Sequence, residues 1–379
     1  MKSSYIQFQV GFKNLKLQMA YMHNTEMLLN KLVHDTDYGY HDGYYVDFLN
    51  EFHEKGKRVL RGQYLYNLSI ISLYGLFEQF IESQIEGYVR LITSASKKYI
   101  LLPKKMQDMH CDLTLKYAQK NLDDKYVEAD VKSKLHRSLI TSLYQSLENG
   151  LEHFSLVEKV YSNHTSNFRY ELITNLFNNI GIDRVIEKTL SFEGFSDFYK
   201  NFFGLDDGAG HTEIINKISE EILELVQRRN RIAHGEIEDD MLKYEFLNEK
   251  CVFFDKLCEG LYRVADRAYT YHLKEVEIIK SKAFELSVPT HIFDRSSVFG
   301  FSIKDSDNEI KNKFIFEGQL VYLKSKEKES IDKYTIESIF FNKEPCDIFE
   351  TTDNFEFGIK LQNVDDIKRF KNYVFYFCA

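Results

Sequence analysis

Proline is nearly absent: Pro103, Pro289 and Pro345 are the only three among 379 residues. Proline is the commonest helix breaker, so its scarcity before Leu286 leaves helix as the default there. Cysteine is sparse as well. Cys111, Cys251, Cys258, Cys346 and Cys378 are an odd number with no C-x-x-C pair, which argues against a disulfide framework or a cysteine-based structural zinc site and reads as reduced, mostly packing thiols. No stretch approaches the roughly 20 apolar residues of a membrane span. Met1 to Met19 mixes Lys2, Lys13 and Lys16 with isolated apolar residues instead of building a signal-peptide core, so a cytoplasmic protein without a membrane partner is expected. There is no G-x-x-x-x-G-K-[ST] run, which excludes a P-loop GTPase.

What is present is ordinary for soluble protein, at 44% hydrophobic and 28% charged residues, and the length suffices for two domains. The net charge of −9 opposes a nucleic-acid partner unless cations gather locally, because phosphate binding draws on clustered Lys and Arg. They do gather: Lys55, Lys57, Arg58 and Arg61; Lys97, Lys98, Lys104 and Lys105; and Arg228, Arg229 and Arg231. An acidic protein with one basic cleft would bind RNA at that cleft and repel it elsewhere.

Apolar periodicity divides the chain. From Leu65 to Leu91, Ile70, Tyr74, Phe77, Ile81, Ile85 and Tyr88 recur at intervals of three and four, the stripe of an amphipathic helix. Asn167 to Ile180 repeats it with Leu172, Leu176 and Ile180, and Gly181 stands where a C-terminal cap belongs. Ile214, Ile215, Ile218, Ile222, Leu225 and Val226 form another stripe, with Thr212 as its expected N-cap. A last long helix is expected over 239–273, with Leu247, Cys251, Phe254, Leu257, Leu261, Val264 and Ala268 on one side. After Leu286 and Pro289 the period changes. Phe355, Phe357, Ile359 and Leu361 alternate with Glu356, Gly358 and Lys360, as in a half-buried strand, and 298–303, 314–316, 320–323, 334–341 and 373–377 are further strand candidates. The expected fold class is multidomain α and β: a helical extension over 1–60, an all-α bundle over 61–280 and a small all-β barrel over 287–379.

The residues that point to chemistry are Arg228-Arg229-Asn230-Arg231-Ile232-Ala233-His234-Gly235. Arg229 and His234 enclose four residues and Arg228 and His234 five, so an R-x4-6-H spacing is met twice. Bare spacing is weak; its context of Asn230, Ile232-Ala233, Gly235 and a helix leading in makes it specific. In this form the run resembles the signature of the HEPN superfamily of ribonucleases. Leu73 to Ile81, with Glu78 after an aromatic, and Asn163-His164-Thr165-Ser166-Asn167 before a helix ending Ile180-Gly181-Ile182 are similar to one HEPN branch. The resemblance spans roughly Arg61 to Leu273 and is sharp only at Arg228 to Gly235. It implies a HEPN-like helical nuclease domain with His234 for proton transfer, Arg229 for transition-state charge and Asn230 for positioning. Arg228, Arg231 and Glu78 would support them. Glu78 reads equally as a carboxylate paired with a structural arginine or as an orienting group for Arg229 or His234.

The chemistry stands on its own terms. RNA brings its own nucleophile, the 2′-hydroxyl, so cleavage needs a proton acceptor, a proton donor for the leaving 5′-oxygen and positive charge at phosphorus, and requires no metal or cofactor. One imidazole per chain cannot hold both protonation states at once. The resemblance resolves this through a homodimer that sets two motifs face to face across a two-fold axis. In an unbroken helix residues five apart differ by about 140°, so the motif is expected to straddle a helix end or a kink near Gly235. The plainer reading of the run is a basic helix end complementing the helix dipole. His34, Asp35, Asp37, His41 and Asp42 lack a defined ligand spacing and are read as a solvated loop.

From Phe316 onward, 316–323, 334–341, 355–361 and 365–369 are similar to the second domain of translational GTPases such as elongation factor Tu, a small β-barrel. Phe370 stands where that family has a glycine. This resemblance implies a barrel that docks a tRNA end, a ribosomal surface or another protein; the alternative is a module for specificity or dimer stability. Together these readings give a metal-independent endoribonuclease acting on RNA, including tRNA as a candidate, in antiviral defence or as a toxin restrained by a regulatory partner. The rival is a non-catalytic HEPN-like module that binds RNA or protein through an arginine patch. A third reading is a translation-factor-like interaction protein led by the barrel.

Overall fold

A computed structural model of the chain describes residues 1–34, 55–123, 128–148, 154–236, 241–302, 313–351 and 356–378. Its contacts divide it into two units, Met1–Asp266 and Arg267–Ala379. The first unit holds α1 (Lys2–His34), α2 (Lys55–Ser96), α3 (Lys104–Asp123), α4 (Ala129–Leu147), α5 (Lys159–Ser162), α6 (Tyr170–Asn179), α7 (Val185–Thr189), α8 (Phe195–Phe203), α9 (His211–Ala233) and most of α10 (Tyr244–Lys280), whose end belongs to the second.

The stripe read from 65–91 is the spine of this unit. Ile70, Tyr74, Phe77, Ile81, Ile85 and Tyr88 are all at most 2% exposed, because a 3.6-residue period puts positions three and four apart on one face. α1 runs antiparallel along α2: a Cβ added at Gly87 would meet Met1, one at Gly11 would meet Leu76, and Glu26 pairs with Arg61. α9 and α10 complete the core with Ile218, Ile222, Leu225 and Val226 and with Phe254, Leu257 and Leu261. α10 approaches α7 and α8 closely at Gly260, where a Cβ would lie 2.8 Å from Thr189 and 2.9 Å from the Phe195 ring.

Two helix readings need correction. Thr212 is exposed inside α9, and the N-cap is Gly210, without a side-chain cap bond; the apolar stripe gave no information on the first turn. In α6 the inward residues are Ile173, Leu176 and Phe177, with Leu172 only half-buried. Leu176 and Ile180 are buried as expected, and Ile173 and Phe177 join them. Gly181 sits just past that helix at φ +87°, as a C-terminal glycine should.

The second unit is an antiparallel half-barrel of β1 (Phe284–Leu286), β2 (His291–Phe293), β3 (Val298–Ser302), β4 (Phe314–Phe316), β5 (Leu320–Ser325), β6 (Ile331–Phe341), β7 (Glu344–Cys346), β8 (Ile348–Glu350), β9 (Glu356–Leu361) and β10 (Tyr373–Phe377). Strand order is β1-β10-β5-β6-β9-β3-β2, with β7 on β6 and a separate β4–β8 pair. Among the described residues the path does not close on itself. Its two end strands are three residues long and offer too few ladder bonds to seal a barrel. Phe357, Ile359 and Leu361 point into a core with Phe299, Ile339, Phe370 and Phe375, as the two-residue alternation requires. Phe370 is fully buried there, a core ring where the elongation-factor pattern has a glycine.

Of the expected loop at 34–42, His34 is the last residue of α1 and the rest lies outside the described residues. Among those described, no helix is long and apolar enough to cross a membrane. Cys251 and Cys258 are buried, and burial pushes both thiols up, Cys251 to about 11.

His110 of α3 gives the helical unit a pH liability. It is 2% exposed, its Nδ1 is 3.2 Å from the Tyr99 hydroxyl and its Nε2 3.1 Å from Ser142 Oγ. Burial lowers it from 6.5 to about 4. The unfolded chain therefore binds the extra proton first, and stability falls as pH drops from about 6.5 towards about 4. That loss amounts to about 3 kcal/mol at most. Urea midpoints measured across this window should fall more steeply for the wild type than for His110→Gln; equal slopes would contradict the assignment.

Candidate functional site

α9 carries the motif run, and its residues go to different places. Arg228 turns inward. It is 5% exposed; its Nε donates to Glu224 Oε1 at 2.8 Å and its Nη1 to the Tyr66 hydroxyl at 2.9 Å. Glu224 and Glu221 also accept from the buried Lys250 of α10, at 2.5 and 2.8 Å. Burial alone would raise the Glu224 carboxyl, but its bonds to Lys250 and Arg228 outweigh that and hold it below the usual range. Arg228 is correspondingly locked in its charged form: burial works against the charge, and the bonds to Tyr66 and Glu224 prevail. Its charge is thus neutralised inside the protein, where it ties α9 to α2 and α10.

Arg229 and Asn230 are half-buried and face α2 and the segment before α6. The Arg229 guanidinium lies 5.2 Å from the Tyr74 ring centre, within cation–π range, and its Nη1 donates to Asn230 Oδ1 at 3.2 Å. The same Oδ1 accepts from Asn167 Nδ2 at 2.9 Å. Two donors on one oxygen fix the orientation of the Asn230 amide. Its Nδ2, a double donor, is turned the other way and makes no hydrogen bond to another described residue.

α9 ends where the spacing argument requires. His234 is the C-cap, at φ −86°, and its N–H reaches Asn230 O at 3.0 Å. Gly235 follows at φ +76°; its N–H bonds Ile232 O and that of Glu236 bonds Arg231 O, each at 3.0 Å. This is a Schellman end, and the left-handed residue in it favours glycine. The His234 side chain is exposed, Arg231 is half-buried, and His234 lies about 40° round the helix from Asn230. Arg229 starts on another face, but its guanidinium bends to Asn230, which brings the three groups to one end of the helix.

Glu78 stands one turn beyond Tyr74 on α2. Its described partners are the Tyr74 hydroxyl, 3.4 Å from Oε1, and His164 Nε2 at 3.9 Å; it bonds neither Arg229 nor His234 directly. Residues that sequence reasoning did not place in the site are Tyr74, counted only as core, and Asn167 and His164, noted only within a family-like stretch. Burial is the main reason the Tyr74 hydroxyl is raised above its ordinary value, with Glu78 adding to it, so it remains a donor. The end of α9 thus carries guanidinium N–H groups, an amide NH2 and an exposed imidazole. Such a set can grip the oxygens of an anion and move a proton next to it.

A family model described as RiboL-PSP-HEPN matches residues 43–266, more than half of the chain. The match includes every site residue above and stops short of the half-barrel, for which no similarity to elongation factor Tu is found. Among curated proteins none matches the chain.

Removing Arg228 should damage stability more than surface charge. Arg228→Met should cost about 2 kcal/mol, less than a fully buried pair, because Glu224 is a third exposed and keeps Lys250. The Glu224 carboxyl is lowered, so this stabilisation is present above about 4.5 and is lost as pH falls through the folded-state value. Thermal melts of wild type and Arg228→Met should therefore differ at neutral pH and converge in acid. A constant difference would show that the ion pair is not its source.

Proposed function

The chain belongs to the RiboL-PSP-HEPN family, and from that premise we propose that its helical unit is a metal-independent endoribonuclease. HEPN domains are often ribonucleases. What supports the reading is that Arg229 bonds Asn230 at the end of α9, which is capped by an exposed His234.

In the proposed reaction the ribose 2′-oxygen attacks phosphorus as its proton is removed. The P–O5′ bond breaks, and the 5′-oxygen leaves with a proton. The products are a 2′,3′-cyclic phosphate and a 5′-hydroxyl. Arg229 and the Asn230 Nδ2 donors bind the non-bridging oxygens, where negative charge grows. His234 transfers the proton, since an imidazole can serve as base or as acid. Glu78 acts behind them, through Tyr74, while Arg228 and Arg231 support the helix end rather than the substrate. Two copies of the chain place two imidazoles at one phosphate, one as base and one as acid; the exposure of His234 at a helix end leaves it accessible to a second subunit.

Activity of this kind fits a role in antiviral defence or as a toxin restrained by a partner, with cellular RNA, tRNA included, as substrate. The rival reading, binding through an arginine patch alone, is weakened because Arg228 is buried and already paired.

Purified protein should cleave single-stranded RNA, and His234→Ala should lower kcat by roughly 10²- to 10⁴-fold while retaining affinity for an oligonucleotide lacking 2′-hydroxyls. Arg229→Lys should lose rate as well, since an ammonium cannot reproduce the fork that meets Tyr74 and Asn230. Undiminished cleavage by His234→Ala would refute the assignment.

A further inference from the structure

The loop before α6 carries a second histidine whose surroundings are as specific as those of His234. His164 has a side chain 14% exposed. Its Nδ1 lies 2.8 Å from Ser166 O and its Nε2 3.0 Å from Glu82 Oε1. Its ring meets the edge of Phe168 at 4.4 Å. Lys120 of α3 donates to its carbonyl oxygen at 2.9 Å and to Asn163 Oδ1 at 2.8 Å, which anchors the loop. The charged groups facing it are thus Glu78 and Glu82 from α2 and Lys120 from α3.

Both ring nitrogens face pure acceptors, a carbonyl and a carboxylate, so the ring makes both bonds only with a hydrogen on each nitrogen. A general base would need one nitrogen free for substrate. His164 has none, which points to holding rather than to proton transfer.

What it holds leads back to the motif. Glu78 Oε1 is 3.9 Å from His164 Nε2 and 3.4 Å from the Tyr74 hydroxyl. That hydroxyl has one hydrogen and two acceptors at 3.4 Å, Glu78 Oε1 and Asn167 Oδ1, and it accepts from the Phe168 N–H at 3.2 Å. Attraction of Glu78 to His164 would leave the Tyr74 hydrogen to Asn167 Oδ1. This sets the Asn167 amide with Nδ2 towards Asn230, and Tyr74 carries the Arg229 guanidinium on its ring.

We propose that His164 is a positioning residue for Arg229 and Asn230, acting through Glu78, Tyr74 and Asn167, and that it strengthens their grip on phosphate. The proposal rests on the reading of Arg229 and Asn230 as a phosphate-binding pair. Glu82, not singled out by the sequence, fixes the far side of the same ring.

The test uses the full chain and a 2′-O-methyl RNA oligonucleotide, which lacks the nucleophile, with binding read by fluorescence anisotropy. Wild type should bind about tenfold more tightly than His164→Leu. His164→Gln, which keeps a donor towards Glu82, should fall between them. In cleavage the loss should appear in KM, unlike the kcat loss of His234→Ala. Binding by His164→Leu within about twofold of wild type overturns the proposal, whatever His234→Ala does. If wild type does not bind the oligonucleotide, the phosphate-binding reading fails, and the Arg229 Nε–Hε NMR signal decides this one without RNA. It should shift between wild type and His164→Leu and return towards wild type in His164→Gln; an identical signal in wild type and His164→Leu overturns the role.

Discussion

Two donors converge on a single oxygen, the Oδ1 of Asn230, one from Asn167 and one from Arg229. An amide held this way cannot rotate without losing both bonds, so its NH2 end has a fixed direction. Arg229 is fixed at the same time, between that oxygen and the ring of Tyr74. The pair couples three segments distant in sequence: α2 through Tyr74, the loop before α6 through Asn167, and the end of α9. Catalysis by electrostatics depends on donors that need no reorganisation when charge develops, and among the described residues the fixing shown here is done by neutral hydrogen bonds and stacking.

The neighbouring arginine illustrates the opposite use of the same side chain. Arg228 meets Glu224 with its charge, and Glu224 meets Lys250. A buried arginine without such partners would be strongly destabilising, whereas a paired one contributes modestly and specifies geometry. One helical step of about 100° separates an arginine that orients α9 from one whose described partners are the Tyr74 ring and the Asn230 amide. The chain is acidic overall, so arginines gathered at this end are a local feature against an unfavourable field.

Much of this was legible in the sequence. The stripe from Ile70 to Tyr88 named the buried face of α2 residue by residue, and Gly235 marked the end of α9 because a Schellman turn leaves few alternatives to glycine. The alternation from Phe357 to Leu361 separated the β unit from the helical one. What was not legible depends on long-range contacts. Periodicity counted Tyr74 as core, which it is, but its hydroxyl and ring face are available to Asn167 and Arg229 only through the packing of α2 against α9. Arg228 and Arg229 are indistinguishable by spacing, and only the positions of Tyr66 and Glu224 separate them. His164 stood only within a family-like stretch, and nothing there tied it to the site, since its partners Glu78 and Glu82 lie on another helix. The open edges of the half-barrel are likewise a property of strand pairing, not of any strand.

The central claim is that the groups at the end of α9 direct a ribose hydroxyl at its own phosphate. Sequencing and mass analysis of RNA termini after incubation with the purified protein test it most directly. The account predicts 2′,3′-cyclic phosphate on the upstream fragment and 5′-hydroxyl on the downstream one. Fragments ending in 3′-hydroxyl and 5′-phosphate would mean that water, not the ribose, is the nucleophile, and would contradict it.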